Sequence, residues 1–100
     1  MIQIIEKKPY SAPTIIEFEA KCITDLERTF ETNYTQQRIS ADLYLLAKTD
    51  EDYEETNLIL GDQVISGTVY VVKGTPSELT SVTTEDLVTF KSLARFIEFN

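Results

Sequence analysis

The stretch Leu58–Val72, LILGDQVISGTVYVV, decides the fold class. Its Val, Ile, Thr and Tyr side chains suit a pleated, half-buried surface, and only Gly61-Asp62 and Ser66-Gly67 interrupt it. Both pairs form turns, because glycine reaches positive φ without a Cβ clash. Antiparallel β-structure therefore stands at the centre of the chain, with two registers open. If Gly61-Asp62 turns, 57–60 pairs with 63–72; if Ser66-Gly67 turns, 62–65 pairs with 68–73. Gly74-Thr75-Pro76 then closes the block as a turn.

Upstream, residues 38–48 alternate as one strand. Ile39, Ala41, Leu43, Leu45 and Ala47 line a core face, while Ser40, Asp42, Tyr44, Leu46 and Lys48 line the other. Tyr44 and Leu46 on the second face call for another cover, from this chain or from a partner. The acidic loop TDEDYEET, 49–56, separates this strand from the β-block. Residues 14–21 alternate too: Ile16, Phe18 and Ala20 point one way, Glu17, Glu19 and Lys21 the other, with Ile15 exposed or at an edge.

Two segments admit both helix and strand. In 22–35, Thr24-x-x-Glu27 could form a capping box, and Ile23, Leu26, Phe30 and Tyr34 have helical spacing. Thr29, Thr32 and Thr35 are poor helix formers, and Glu27 and Glu31 repel at i,i+4. The preferred reading is a turn around Asp25 and a strand from about Arg28 to Thr35, with Gln36-Gln37 as a hairpin connection. In 84–100, Leu87, Phe90, Ala94 and Ile97 form a helical stripe, with Glu85 and Asp86 first and Lys91 and Arg95 later, which suits the helix dipole. A helix over roughly 84–94 with an extended tail is favoured. At the other end, IQII (2–5) could be a short strand, and Pro9 and Pro13 make 6–13 extended. The chain thus divides into an N-terminal arm, 1–12, and a single β-rich domain, 13–100, with a C-terminal helix or tail. The expected fold is mainly β: a small antiparallel barrel or sandwich with one or two short helices, α+β being the alternative.

With 42% hydrophobic residues in 100, one core can form without metals or disulfides, and the lone Cys22 excludes an internal bridge. Cys22 reads as a buried structural thiol. The start MIQI has no basic segment followed by an apolar one, so cytoplasmic synthesis is expected, and no apolar run is long enough to span a bilayer. Net charge is −8, which argues against direct nucleic-acid binding. The excess is local: 42–62 carries seven acids against Lys48, while 1–41 and 63–100 are each −1.

The chain has no histidine. Ser-His-Asp and Cys-His activation and every His-bearing zinc site are thereby excluded, and no enzymatic activity or cofactor is expected. Asp50, Asp52 and Glu54 have the spacing of oxygen ligands, but a helical calcium loop would place Gly at position 55 and an acid at 61, where Glu55 and Gly61 stand. The loop reads instead as a solvated charge run, with Tyr53 as its one possible anchor for a partner. Asp42, mid-strand on the polar face, reads as solvent-facing.

The run Gly61-Asp62-Gln63-Val64-Ile65-Ser66-Gly67-Thr68-Val69-Tyr70-Val71-Val72 has the form G-D-x-h-x-x-G-x-x-Y-x-V, where h is hydrophobic, and follows ISADLYLLAKTD (39–50). Over residues 39–73 the chain resembles small head–tail connector or head-completion β-barrel proteins of tailed bacteriophages. That resemblance implies a non-enzymatic virion component, present as a ring of copies joining portal or capsid to tail. No functional residue carries over from it.

The expected function is therefore a structural assembly protein that contacts other protein subunits, in a homo-oligomer or larger assembly within a virion. Apolar residues facing several directions mark Ile2, Ile4, Tyr44, Leu46, Tyr53, Phe96 and Phe99 as candidate partner contacts. The alternative is an acidic inhibitor that mimics nucleic acid and fills a basic groove on a host protein, for which the acids cluster too tightly.

Overall fold

A computed structural model describes residues 1–48 and 55–96. The elements run β1 (Ile2–Lys7), β2 (Thr14–Phe18), α1 (Ile23–Phe30), β3 (Tyr34–Arg38), β4 (Leu43–Lys48), β5 (Thr56–Leu60), β6 (Gln63–Ser66), β7 (Val69–Thr75), β8 (Glu78–Thr80), α2 (Thr84–Leu93) and β9 (Ala94–Phe96). The fold is mainly β with two short helices, as expected, and all pairings are antiparallel. It is a layered structure rather than a closed barrel. A six-stranded sheet has the order β2-β1-β7-β4-β3, with β8 also on β7, and a three-stranded sheet has the order β6-β5-β9.

The larger sheet is covered on both faces. One face packs on the smaller sheet and α2, through Ile5, Leu43, Leu45, Val69, Val71, Leu58, Ile65 and Phe90. The opposite face packs under α1, through Ile4, Leu46, Tyr70, Val72, Ile23 and Leu26. A strand buried on both faces has no polar side to alternate with, which is why Val69-Tyr70-Val71-Val72 is a continuous apolar run.

Of the two glycine turns, Gly61-Asp62 makes the hairpin: Leu60 pairs with Gln63. Gly61 has φ 62°, the first central position of a type II′ turn. Gly67 ends β6 instead, and β7 crosses to the larger sheet. The helix over 84–94 is found as α2, capped by reciprocal hydrogen bonds between Thr83 and Asp86.

Four expectations are corrected. Residues 2–7 are not an arm: β1 lies inside the larger sheet, between β2 and β7, because Ile4 and Ile5 serve opposite clusters. The strand expected over 38–48 is a hairpin. The chain reverses between Arg38 and Leu43, where the Ile39 N–H bonds the Leu43 carbonyl and the Arg38 guanidinium holds the carbonyls of Ser40 and Ala41. Gln36 and Gln37 are then strand residues, and Asp42 belongs to the exposed turn. Ile15, expected exposed or at an edge, is on the outermost strand β2, half-buried against the α2-side cluster and opposite its neighbour Ile16.

The fourth correction is α1, expected as a turn and strand. Ile23 and Leu26 bury one helical face on the sheet, and that burial outweighs the weak propensity of Thr24 and Thr29, which face solvent. Cys22, half-buried, is the N-cap but supplies no side-chain bond; Asp25 reaches back to the Lys21 N–H at 2.8 Å. The repulsion between Glu27 and Glu31 is relieved, since Glu27 accepts from the Tyr34 N–H at 2.9 Å and Glu31 lies past the helix end.

Glu31 closes α1 in the left-handed region, φ 53° and ψ 42°, a conformation that costs a residue with a Cβ about 1–2 kcal/mol. Glycine removes that strain but loses more chain entropy on folding. Glu31→Gly is expected to stabilise the protein by about 0.5–1 kcal/mol, read as a higher urea midpoint with an unchanged slope. A lower midpoint would show that the Glu31 side chain contributes more than its backbone costs.

Candidate functional site

Three polar or aromatic constellations stand out, and two of them hold the layers together. In β5 the pairing slips between Thr56 and Leu58, leaving Asn57 as an extra residue opposite β6. A bulge re-aims its side chain, and Asn57 is completely buried between the two sheets. Its Nδ2 donates to the carbonyls of Lys7 (2.8 Å) and Gly67 (2.7 Å), and its Oδ1 accepts from the Lys7 ammonium at 2.6 Å. Lys7, 1% exposed, also donates to the Lys8 carbonyl at 2.7 Å and sits 5.0 Å from the centre of the Phe96 ring. Among the described residues no carboxylate pairs with it. Burial lowers the Lys7 pKa from its ordinary value. A lysine so placed could in principle act as a nucleophile, but no substrate can reach an amine this deeply buried. It is a tie between β1, β5 and β9.

The second constellation pins α2 to β7. The Asp86 carboxylate accepts from the Lys73 ammonium at 3.0 Å, from the Thr83 N–H at 2.8 Å and from the Thr83 hydroxyl at 3.0 Å. Burial would raise the Asp86 pKa; the bonds from Thr83 and Lys73 outweigh it and hold the carboxyl below its usual range. Asp42 stands 4.0 Å from the same ammonium.

The third is an aromatic row beneath α1. Phe18 stacks on Phe30 and Phe30 on Tyr70, each with centroids 5.1 Å apart, and Tyr34 meets Tyr70 edge-on at 6.1 Å. The Tyr70 hydroxyl donates to Glu6 at 3.2 Å. Burial first, then the Glu27 carboxylate, pushes Tyr34 up to about 12; burial and Glu6 also raise Tyr70. A phenol whose folded pKa exceeds its unfolded value gives stability that is whole below the unfolded pKa, near 10, and lost as pH rises through the folded one. Wild type should therefore lose stability relative to Tyr34→Phe as pH rises from about 10 to 12, measured by urea unfolding at pH values across that window. Parallel curves would remove Tyr34 as the cause.

The row ends at Phe18, on the outermost strand of the larger sheet. Among the described residues β2 pairs only with β1, and β3, at the opposite edge, only with β4. The two edges differ. β3 offers Thr35, Gln36, Gln37 and Arg38, a polar strand of the kind that discourages pairing. β2 offers Ile15, Ile16 and Phe18, all half-buried, with Ile15 on the α2-side cluster and Ile16 and Phe18 on the α1-side cluster. Both cores run out to this edge, beside backbone groups that have no strand partner among the described residues. No family model, no curated protein and no solved structure matches this chain.

The residues singled out from sequence are dispersed. Ile4 and Leu46 are completely buried, so neither offers a surface to a partner: the second cover that Leu46 requires is α1 of the same chain. Ile2 and Tyr44 are half-buried against that same cluster, and Ile2 also borders an open groove of about 550 Å³ beside Met1, Lys21 and Glu78. Phe96 is half-buried against the other cluster, beneath Lys7. Tyr53 and Phe99 lie outside the described residues, as do positions 49–54 of the acidic loop. Sequence reasoning placed Ile15 exposed or at an edge but did not count β2 among the candidate contacts, although the doublet Ile15-Ile16 breaks the alternation and requires apolar cover on both faces.

Proposed function

We propose that this chain is a non-enzymatic assembly protein whose work is contact with other protein subunits, made along the β2 edge. The observation that carries this reading is an outer strand whose apolar residues, Ile15 on one face and Ile16 and Phe18 on the other, are only half-buried by their own chain. An edge strand is a template for strand addition, which charge or proline along it limits; on β2 that charge is the exposed Glu17. The lack of histidine throughout the sequence supports a role without acid–base chemistry. A virion setting, as a connector or head-completion component, is proposed on the resemblance of residues 39–73 and on nothing else.

A photo-crosslinking residue placed at Phe18 in the full chain, in the cells that make it, tests the reading. Discrete adducts with defined subunits are expected from position 18 and not from Gln36 on the opposite edge. Equal labelling from both positions, or none from Phe18, would overturn it.

A further inference from the structure

We infer that Lys7 and Asn57 are the reactants of a covalent cross-link, in which the Lys7 amine displaces ammonia from the Asn57 carboxamide and joins β1 to β5 through an isopeptide bond. No outside substrate reaches Lys7, but its partner is already in contact. The two side chains are 1% and 0% exposed and lie 50 positions apart in the chain. The Lys7 Nζ stands 2.6 Å from Asn57 Oδ1, and with a C=O bond of about 1.2 Å the carboxamide carbon is at most about 3.8 Å from it. Reacting atoms meet at about 3–3.5 Å, so a small turn of the flexible lysine end completes the approach. The bulge in β5 is what aims Asn57 inward, onto Lys7.

The surroundings favour attack over a lasting charge. Among the described residues no carboxylate pairs with Lys7, and its burial disfavours the ammonium, which brings the neutral, nucleophilic amine within reach. The Phe96 ring lies over Nζ and helps to keep out water, the competing nucleophile. The Lys8 carbonyl accepts one Nζ proton and orients the amine. The carbonyls of Lys7 and Gly67 already accept from Asn57 Nδ2, so they hold the leaving nitrogen as it gains a proton.

The step balances without an added reagent. The lone pair of the neutral Nζ forms a bond to Cγ, and one Nζ proton passes to Nδ2. The Cγ–Nδ2 bond then breaks with its electron pair, which leaves on ammonia. Oδ1 stays as the carbonyl of the new secondary amide, and nothing is oxidised or reduced. The reaction is slow and follows folding, because only the folded chain holds the two groups together. A freshly folded chain carries the hydrogen-bonded pair and an aged one carries the bond. That bond ties the larger sheet to the smaller in a chain whose single cysteine allows no internal disulfide.

Mass spectrometry of the whole purified chain, sampled from fresh preparation through weeks of storage at neutral pH, tests the inference. The mass should fall by one ammonia with time in the folded chain, and should not fall in chain kept unfolded in urea. A digest should yield a branched peptide joining Lys7 to Asn57, and Lys7→Met should keep its full mass. An asparagine that cyclises onto its own backbone also loses ammonia but leaves the Lys7 amine free. Loss of ammonia undiminished in Lys7→Met, or a digest without the branched peptide, would therefore overturn the cross-link. So would a folded chain that keeps its full mass throughout. The digest of the unsubstituted chain decides even where Lys7→Met fails to fold.

Discussion

Asn57→Leu is expected to destabilise the protein by about 3–5 kcal/mol, a large share of the total for a domain of this size. The substitution keeps the branching at Cγ, with two bulkier methyl groups, but deletes three hydrogen bonds at a completely buried position. It leaves the Lys7 ammonium with the Lys8 carbonyl and the Phe96 ring alone, and it strips the Lys7 and Gly67 carbonyls of their donor. An unsatisfied buried polar group costs about 1–3 kcal/mol, and more when it is charged. Lys7→Met should cost less, about 1–3 kcal/mol, since Asn57 keeps both bonds from its Nδ2 and only acceptors lose a partner. The double variant should be less destabilised than the sum of the singles by about 1–2 kcal/mol, because it no longer buries an ammonium beside an apolar side chain. Urea unfolding of the four proteins measures this coupling. Additive costs would mean that Lys7 and Asn57 act independently, despite the 2.6 Å contact between them.

Gly74→Ala is the second large effect, expected at about 3 kcal/mol or more. Gly74 sits at φ 114°, where side-chain-bearing residues are rarely found, and a Cβ there would meet the Glu78 carbonyl oxygen at 2.5 Å and the Thr80 nitrogen at 3.3 Å. Both obstacles are backbone, so no rotamer change relieves them. Gly74, expected in a turn with Thr75 and Pro76, is a strand residue of β7 opposite Leu79, and the hairpin it belongs to also positions other parts of the fold. The Gly74 N–H donates to the Asp42 carbonyl at 2.8 Å, while Leu79 N–H donates to Lys21 and Ile23 N–H to Pro76, holding the lead into α1. Hydrogen exchange should show protection lost first at Leu79 and Ile23, with β5 and β6 keeping theirs. Gly61→Ala is the internal comparison: its φ is also positive, but a Cβ there meets nothing within 4 Å. It should cost only about 1–2 kcal/mol. Equal costs at the two glycines would show that backbone strain, not the close approach of β8, sets the effect.

The residues that were legible in the sequence share one property: their structure is set by near neighbours. A hairpin at one of the two glycine pairs follows from glycine's access to positive φ between β-rich runs, but that Gly61-Asp62 makes it was decided by β7 crossing to the larger sheet. Helix α2 follows from the helical spacing of Leu87 and Phe90 and a favourable order of charge. Leu43, Leu45 and Ala47 follow from alternation and pack in one cluster as that alternation requires. The residues that were misread depend on what lies across space. Whether 22–35 held a helix or a strand turned on whether Ile23 and Leu26 would find a sheet to cover, and α1 exists because that sheet is there.

Sequence by itself therefore determined the β-rich class, the second helix, the acid-laden segment and the absence of imidazole chemistry. Tertiary structure alone decided that Ile4 and Leu46 would be enclosed by their own chain, that a bulge would turn Asn57 inward onto Lys7, and that β2 rather than the N-terminal segment would be left at the rim. The reason is physical. A pattern of apolar and polar side chains states which surfaces must avoid water, but the same surface is satisfied by a neighbouring layer or by another molecule, and only the arrangement of the layers distinguishes the two.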